Sequence, residues 1–568
     1  MLSQPLQAQG EINIKKVRNS IEKYIASVAA YGNAGQVLVA RHSEVMVNLS
    51  YGYANREAQE PVQPNTIFEI ASVSKMFTAA AILKLQSEGK LSVSDKISDF
   101  FENVPPDKNT ITIHQLLTHS SGIRGGDLAA DFENISKPDL VSRILVSPLR
   151  TAPGAKWIYS NAGYNLLAAI IEKQSGKTYD QYLTDTFFKP LKMASSGVNN
   201  TPFLLGKPVA TAYQGNKNNG NAKAQHFNPR TWGGGSVCST VSDLYMWERA
   251  LHAGKVLPGK ELVLMFAQHI PAGNDGYTYY GYGLFNYKNP ADNNTVIDHG
   301  GDTERGFNAT FRMFRDINLT YIFVSNAQQP GGTWDRWFMD RNIRNLVYGQ
   351  PVTMPPAVMK TSRDELQKYA GAYYYNDSKL EVSILGNNLV IEADGEDAVN
   401  LLYGFTEEQK NKISIIQKSL SKILDDYKNG TAHGLEEFLS ERGRSDFIEE
   451  RAMLTEKFGQ LRNYHIQGTF PDARDPNFWI CAARLEYEKR TVSYFSMWLL
   501  NADDNITLDF ATADLESRIN LRFARTGVDS FTSYNFFSDK ATTLDFMKSS
   551  DGKTSIRCND GQEIFYKK

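Results

Sequence analysis

The sequence has few cysteines, no excess of charge and no long apolar run. Cys238, Cys481 and Cys558 lie far apart among 568 residues, so we expect neither a disulfide framework nor a clustered zinc site. The 61 basic and 63 acidic residues leave a net charge of −2, and we therefore expect no nucleic-acid partner. No apolar run approaches the ~20 residues that a membrane helix needs, so we expect no transmembrane segment.

A proline-rich stretch divides the chain, which is long enough for about three domains. Residues 350–356 (QPVTMPP) have no hydrophobic periodicity. Before them, helical and strand-like patterns mix in the manner of an α+β domain. We predict this domain over residues 1–350, a linker over 351–363, a β-rich segment over 364–403, and an α+β accessory domain over 404–568 with helices followed by an antiparallel sheet.

Ser72-Val73-Ser74-Lys75 places a hydroxyl and an amine one helical turn apart. Residues at i and i+3 share one face of a helix, so Lys75 can reach the Ser72 hydroxyl. A lysine can activate a serine if burial lowers its affinity for a proton, and the apolar residues 76–85 would bury it. On this motif alone, a helix N-cap followed by a surface lysine is an equally good interpretation. Ser-x-x-Lys also occurs at Ser20, Ser87, Ser419 and Ser550.

Tyr159-Ser160-Asn161 follows a Pro-Gly turn and leads into an apolar helix. A loop would therefore hold the phenol and the amide at the start of that helix. A phenol can shuttle protons beside a lysine, and an amide can both donate to and accept from a peptide-like substrate. The alternative interpretation is a loop tyrosine packed on the core, with Asn161 as the N-cap.

A third motif is VIDHGGD at residues 296–302. Gly300 and Gly301 would let a substrate backbone lie close to a strand edge, whose N–H groups could bind an oxyanion. His299 could donate to the substrate or assist proton transfer. The competing interpretation is a metal site made of Asp298, His299, Asp302 and Glu304. Strand alternation disfavours it, and no second histidine is near, so we expect neither a metal nor a cofactor.

In this order, the three motifs resemble the active-site motifs of the serine β-lactamase and penicillin-recognising superfamily. The chain looks more similar to the class C branch, with its D-aminopeptidases, esterases and carboxypeptidases. Supporting stretches are LLTHSSGI, PGAKWIYSNAGYNLL and GGGSVCSTVSDLYMW, and the match covers about residues 12–350. No Gly-x-Ser-x-Gly occurs, which disfavours the α/β-hydrolase route to a serine nucleophile. The resemblance implies an antiparallel sheet flanked by helices, plus a helical subdomain.

The resemblance also implies an acyl-enzyme mechanism. Ser72 would attack a carbonyl, and Lys75 and Tyr159 would share the general-base and general-acid work. Asn161 would orient the substrate. His119 matches a structural position of the family, not a catalytic one.

The same resemblance places the oxyanion hole at the N–H groups of the nucleophile and of Asp302, the residue after Gly301. His299 stands where antibiotic-hydrolysing relatives usually carry lysine. A fixed cation for a substrate carboxylate would then be absent or weaker, which disfavours β-lactams. The acidic neighbours Asp298, Asp302 and Glu304 would repel an anionic substrate.

We therefore predict a serine hydrolase that acts on a peptide, a D-amino-acid compound or a small ester. The alternative is a non-catalytic sensor or binding protein with the same fold. Either would take a small-molecule or peptide partner, and the oligomeric state stays open.

The two ends of the chain carry weaker signals. We expect an extracytoplasmic location, periplasmic or secreted. The first ten residues, MLSQPLQAQG, are no complete signal peptide, although they could be the tail of one, so a cytoplasmic location stays open. Further on, YAGAY at residues 369–373 resembles the opening of a lipocalin-like extension, and the chain after residue 405 looks like a cone-shaped α+β module.

Overall fold

The computed structural model describes most of the chain. The described residues are 14–123, 134–199, 201–223, 229–273, 275–290, 293–303, 305–328, 335–431, 435–439, 441–471, 478–500, 506–514, 519–535, 540–548, 550, 552–558 and 564–567. They form two compact units. The N-terminal unit comprises the described residues within 1–29, 33–328 and 334–352, and the C-terminal unit those within 30–32, 329–333 and 353–568.

The N-terminal unit mixes strands and helices. Its strands are β1 (Gly35–Arg41), β2 (Glu44–Tyr51), β3 (Tyr53–Asn55), β4 (Glu60–Pro61), β5 (Phe68–Glu69), β6 (Gly197–Val198), β7 (Tyr213–Gln214), β8 (Lys217–Asn218), β9 (Val237–Ser239), β10 (Ile270–Pro271), β11 (Thr278–Tyr280), β12 (Phe285–Lys288), β13 (Thr295–Asp302), β14 (Asn308–Phe314), β15 (Leu319–Ser325) and β16 (Ala327–Gln328). Its helices are α1 (Ile14–Ala30), α2 (Lys75–Ser87), α3 (Ile113–Leu117), α4 (Lys137–Val146), α5 (Asn161–Ser175), α6 (Tyr179–Leu183), α7 (Trp232–Gly235), α8 (Val241–His252), α9 (Gly259–Phe266) and α10 (Asp335–Val347).

An antiparallel sheet is the scaffold of this unit. Within the described residues its strand order is β10-β11-β12-β13-β14-β15-β1-β2. The central strands β1 (GQVLVAR) and β15 (LTYIFVS) are buried along almost their whole length, which suits their β-branched and aromatic residues. They pair antiparallel, with Val39 opposite Tyr321. The strand that carries the third motif, β13, therefore has a rigid support.

Helix α2 lies in the core of the unit. Apart from Lys84, Gln86 and Ser87, its residues are buried, Lys75 included, as expected of a helix that is apolar all round. The Phe77 ring packs 5.4 Å from the Phe188 ring and 4.4 Å from the Trp247 ring, centroid to centroid. This burial is what places the Lys75 amine in the interior.

The C-terminal unit also mixes strands and helices. Its strands are β17 (Gly371–Tyr375), β18 (Ser378–Leu385), β19 (Asn388–Asp394), β20 (Leu461–Pro471), β21 (Phe478–Tyr487), β22 (Thr491–Leu500), β23 (Ile506–Asp514), β24 (Asn520–Arg525), β25 (Ser530–Asn535), β26 (Lys540–Lys548), β27 (Thr554–Cys558) and β28 (Ile564–Lys567). Its helices are α11 (Arg363–Leu366), α12 (Glu396–Tyr403), α13 (Glu407–Lys428), α14 (Leu435–Phe438) and α15 (Glu441–Phe458). The predicted α+β fold, with a β-rich C-terminal part, is confirmed.

The C-terminal strands form two sheets. Strands β17-β18-β19-β24-β25-β26-β27-β28 close into a barrel, and β20-β21-β22-β23 form an antiparallel sheet. The predicted division at residue 404 is therefore wrong for the barrel, because β19 pairs with β24, for example Ile391 with Leu521. Local sequence patterns cannot show a pairing between strands so far apart in the chain.

Within the described residues, no helix combines the length and the apolar character that crossing a bilayer requires.

Candidate active site

Ser72 lies in a tight turn between β5 and α2. The 3₁₀ turn Ala71–Ser74 continues directly into the helix. Ala71 has a φ of +47°, a left-handed conformation that costs a residue with a Cβ roughly 1 kcal/mol or more. Strain of this kind is common where a turn presents a reactive side chain. The half-buried Ser72 side chain is thus held at the start of the central helix.

Three oxygens surround the amine of the fully buried Lys75. Its Nζ lies 2.8 Å from Asn161 Oδ1, 2.8 Å from the Gly234 carbonyl oxygen and 3.1 Å from Ser72 Oγ. Amide and backbone carbonyl oxygens can only accept hydrogen bonds, so these two take two N–H groups. A neutral amine then directs its lone pair at Ser72 Oγ, which is the geometry that a general base needs.

Tyr159 contacts the same hydroxyl from another side. Its phenol donates a hydrogen bond to Ser72 Oγ at 2.7 Å, and Lys75 Nζ lies 4.7 Å from the Tyr159 ring centroid. The N-cap of α5 is Ser160, whose Oγ accepts from the Gly163 N–H. The alternative interpretation with Asn161 as N-cap is therefore wrong, and the Asn161 amide is instead a partner of the lysine.

His119 supports the loop that carries Tyr159. Its Nδ1 accepts the Ser160 N–H at 3.0 Å and its carbonyl oxygen accepts the Ile158 N–H at 2.7 Å. Its ring packs 4.4 Å from the Tyr159 ring, centroid to centroid. Burial holds the pKa of His119 well below its usual range, so the ring is neutral. These contacts give His119 a structural part.

The third motif brings a strand edge against the nucleophile turn. Strand β12 pairs with residues 295–298 of β13, so in the described part of the chain residues 299–302 have no strand on that edge. A Cβ built on Gly301 would lie 2.2 Å from the Ile70 carbonyl oxygen and 3.0 Å from the Ser72 nitrogen. Only glycine allows this approach.

The backbone of Asp302 faces the open edge. The N–H of Thr303 donates to the Phe307 carbonyl oxygen at 2.8 Å, on the side of β14. Successive N–H groups of a strand point to alternate edges, so the Asp302 N–H points away from β14. It is therefore available, next to the Ser72 N–H, for the predicted oxyanion hole.

We expect Gly301→Ala to lower kcat/KM by about a hundredfold, because a methyl group there must push the strand away from the Ser72 amide. The measurement is steady-state hydrolysis of an activated ester, with thermal unfolding to confirm the fold. Gly259→Ala is a control for glycine replacement, since a Cβ at Gly259 meets no atom within 4 Å and its backbone is not in the left-handed region. Unchanged turnover by Gly301→Ala would show that the edge does not take part.

His299 is buried and neutral. Its Nε2 lies 3.1 Å from the Tyr280 hydroxyl oxygen and its Nδ1 lies 2.5 Å from the Gly300 carbonyl oxygen. Burial lowers its pKa to about 3. His299 therefore supplies no positive charge to the site at neutral pH.

This lowered pKa predicts acid sensitivity. Unfolded histidine titrates near pH 6.5, so between about pH 6.5 and 3 the unfolded state binds the extra proton. Stability is therefore present above that window and is lost as the pH falls through it, by at most about 1.4 kcal/mol per pH unit from His299. We expect thermal unfolding midpoints of His299→Gln to fall less steeply than those of the wild type between about pH 7 and 4. Parallel pH profiles would contradict a buried neutral His299.

The expected repulsion of anions at this edge needs correction. Asp298 Oδ2 accepts from Arg312 Nε at 2.7 Å. The two oxygens of the Asp302 carboxylate accept from Arg336 Nε and Nη2, each at 2.7 Å. Asp302 is thus paired with an arginine far along the chain, and Asp298 with the arginine opposite it in β14, which also pairs with Asp340. Glu304 lies outside the described residues. In the part of the chain that the structure describes, no group of three or more His, Cys, Asp or Glu side chains could hold a metal ion.

Comparison with known proteins decides the family. The family described as beta-lactamase matches residues 18–342, more than half of the 568 residues. The chain belongs to this beta-lactamase family. With Ser72, Lys75 and Tyr159 in contact, it is a serine hydrolase of that family.

Three similar proteins illustrate the relationship. PbpX of Bacillus subtilis (strain 168), a protein named for penicillin binding, is 30% identical over 328 residues, which cover 56% of this chain and 77% of that protein. The octameric penicillin-binding protein homologue from Pyrococcus abyssi has 21% identity and a TM-score of 0.52, over 88% of this chain and 99% of that one. The D-amino acid amidase from Ochrobactrum anthropi SV3 has 20% identity and a TM-score of 0.51, over 59% of this chain and 98% of that one. Both structures share the fold.

Two contacts of the site were not anticipated from the sequence of this beta-lactamase-family protein. The Gly234 carbonyl is a partner of Lys75, and the Tyr280 hydroxyl is a partner of His299. Three successive glycines at residues 233–235 were a signal for the first, because a Cβ on Gly234 would lie 3.2 Å from Lys75 Nζ and 3.3 Å from Asn161 Oδ1. Tyr280 had no comparable signal.

Proposed function

We propose that the protein hydrolyses an amide or ester through a covalent acyl-enzyme on Ser72. The observation that carries this proposal is that Lys75 Nζ and the Tyr159 hydroxyl both lie within hydrogen-bond distance of Ser72 Oγ. Ser72 Oγ attacks the substrate carbonyl while Lys75, as the neutral amine, takes its proton. The N–H groups of Ser72 and Asp302 bind the oxyanion.

The second half of the cycle reuses the same groups. The proton that Lys75 took from Ser72 passes by way of Tyr159 to the leaving group, and the acyl group stays on Ser72. A water molecule, deprotonated by the same pair, then attacks the ester and releases the acid and the free serine. A non-catalytic binding protein would have no need to keep nucleophile, base, phenol and strand edge in contact, so the geometry favours the enzyme.

The proposed substrates are peptides, D-amino-acid compounds or small esters. Neutral His299 leaves the third motif without the cation that would pair with a β-lactam carboxylate. The amidase that shares this fold acts, by its name, on a D-amino acid amide, which supports the same substrate class. β-Lactams are the less favoured substrates.

A panel of a neutral p-nitrophenyl ester, a D-amino-acid amide and a chromogenic cephalosporin tests this choice. We expect an initial burst of nitrophenol from the acyl-enzyme, turnover of the ester or amide, and little turnover of the cephalosporin. No burst and no turnover of any of the three would favour the non-catalytic alternative.

His299→Lys should shift this preference. A permanent cation pairs better with a carboxylate than a neutral imidazole does, so we expect higher kcat/KM for the cephalosporin and partial loss of the esterase activity. The measurement is the ratio of the two kcat/KM values in the variant and in the wild type. Vigorous cephalosporin turnover by the wild type would mean that the substrate class is wrong.

A further inference from the structure

An arginine clamps the carboxylate of the residue whose backbone N–H completes the proposed oxyanion hole. Arg336 Nε donates to Asp302 Oδ1 at 2.7 Å, and Arg336 Nη2 donates to Asp302 Oδ2 at 2.7 Å. Such a two-pronged pair fixes direction as well as distance, which a single contact does not. It joins the first turn of α10 to the last residue of β13.

The clamp is itself braced. The backbone N–H of Arg336 donates to Asn308 Oδ1 at 2.9 Å, and Asn308 Nδ2 donates to the Ala327 carbonyl oxygen at 2.9 Å. Asn308 is fully buried and stands directly opposite Asp302 in the β13–β14 register. The guanidinium also lies against the strand, since a Cβ on Gly300 would be 2.8 Å from Arg336 Nη1. Arg336 therefore has little freedom to move away from Asp302.

A second ion pair holds the other side of the hole. The buried Glu69, in β5 just before the nucleophile turn, accepts from Arg305, which follows β13 by three residues. This ion pair connects β5, which precedes the Ser72 turn, with the loop that follows Asp302. Removing one partner of so buried a pair is strongly destabilising, so Arg336 is the better residue for an experiment.

The positive charge of Arg336 also affects the oxyanion hole, apart from the geometry of the contact. The Asp302 carboxylate belongs to the residue whose N–H binds the developing oxyanion, so an unpaired carboxylate would raise the energy of that anion. Arg336 cancels this charge. A carboxylate at this position is therefore compatible with an oxyanion hole only when its arginine is present.

We propose that Arg336 is a positioning residue of the oxyanion hole, which aims the Asp302 N–H and neutralises the Asp302 carboxylate; this inference rests on the acyl-enzyme mechanism proposed above. Arg336 acts through Asp302 and has no contact with the reacting atoms in this role. Arg336→Gln breaks the clamp and leaves a net negative charge. Asp302→Asn breaks the same clamp but removes the carboxylate, and Arg336 still lies near the carboxylate of Asp340.

The experiment compares Arg336→Gln, Asp302→Asn, the double variant and the wild type. Each is measured by kcat and KM for a neutral p-nitrophenyl ester and by the rate of Ser72 labelling with a fluorophosphonate. We expect Arg336→Gln to lower kcat and the labelling rate about tenfold to a hundredfold with KM nearly unchanged. Asp302→Asn should lose clearly less, and the double variant should be several-fold faster than Arg336→Gln. Lys288→Gln is the matched control, because it breaks an exposed Lys–Asp pair on the same sheet.

The outcomes separate the two proposals. The role of Arg336 would be overturned if Arg336→Gln kept the kcat and the labelling rate of the wild type. It would also be overturned if Arg336→Gln and Asp302→Asn lost equally and the double variant showed no rescue. In both cases labelling of Ser72 in the wild type would leave the proposed function intact. Absence of labelling at Ser72 in the wild type would overturn the proposed function instead. Thermal unfolding of each variant shows whether a loss of activity reflects a loss of folding. If Arg336→Gln folds poorly, Arg336→Lys is the second variant. It keeps the positive charge without the two-pronged contact, so its kcat should lie between those of Arg336→Gln and the wild type.

Discussion

Ser72→Ala should lower the turnover of an activated ester by on the order of 10³-fold or more, because it removes the hydroxyl that lies against both Lys75 and Tyr159. The protein should still fold, since Ser72 is only half-buried and the substitution removes a single oxygen atom. The measurement is kcat/KM together with a thermal unfolding curve.

Ser87→Ala is the matched control for this variant. Ser87 begins another Ser-x-x-Lys sequence, but its hydroxyl donates to the Lys84 carbonyl oxygen on the exposed end of α2. We expect it to have wild-type activity. If Ser72→Ala keeps wild-type turnover, or if Ser87→Ala loses it, the assignment of the nucleophile is wrong.

Lys75→Ala should abolish acylation almost as completely as loss of the serine. Without the amine, Ser72 Oγ keeps its proton, and the Asn161 and Gly234 carbonyl oxygens lose a shared donor. We expect no burst of nitrophenol from the ester and a lower unfolding temperature. Tyr159→Phe should also lose most of the rate, but with a smaller change in stability, because only one hydroxyl is removed.

The control for Lys75→Ala is Lys84→Ala on the same helix. Lys84 is partly exposed, and its ion pair with Glu88 is long at 3.9 Å, so its loss should cost little. Acylation at the wild-type rate in both Lys75→Ala and Tyr159→Phe would mean that some other group activates Ser72.

The sequence predicted the parts of the site that depend on local order. The spacing of the serine and the lysine predicted that they share a face, which the 3₁₀ turn leading into α2 achieves, and the run of apolar residues after Lys75 predicted a buried helix, as α2 is. The two glycines after His299 predicted a close approach to a strand edge, which Gly301 makes against Ile70. Each of these features is set by spacing and residue size within about ten residues.

Contacts between distant segments could not be predicted in this way. Nothing near Asp302 indicated that Arg336 would neutralise it, and nothing near Lys75 alone indicated the Gly234 carbonyl. The barrel is a similar case, since β19 pairs with β24, which follows it in the sequence only after several helices and a separate sheet. Pairings of this kind depend on the whole fold rather than on local periodicity.

The central claim is that Ser72, activated by Lys75 and Tyr159, carries the acyl group. Its most direct test is to treat the full-length protein with a fluorophosphonate, measure the intact mass and map the modified peptide. We predict one adduct per chain, on Ser72, with none in Ser72→Ala and very slow formation in Lys75→Ala. An adduct that maps to Ser20, Ser87 or Ser419, or that persists in Ser72→Ala, would contradict it.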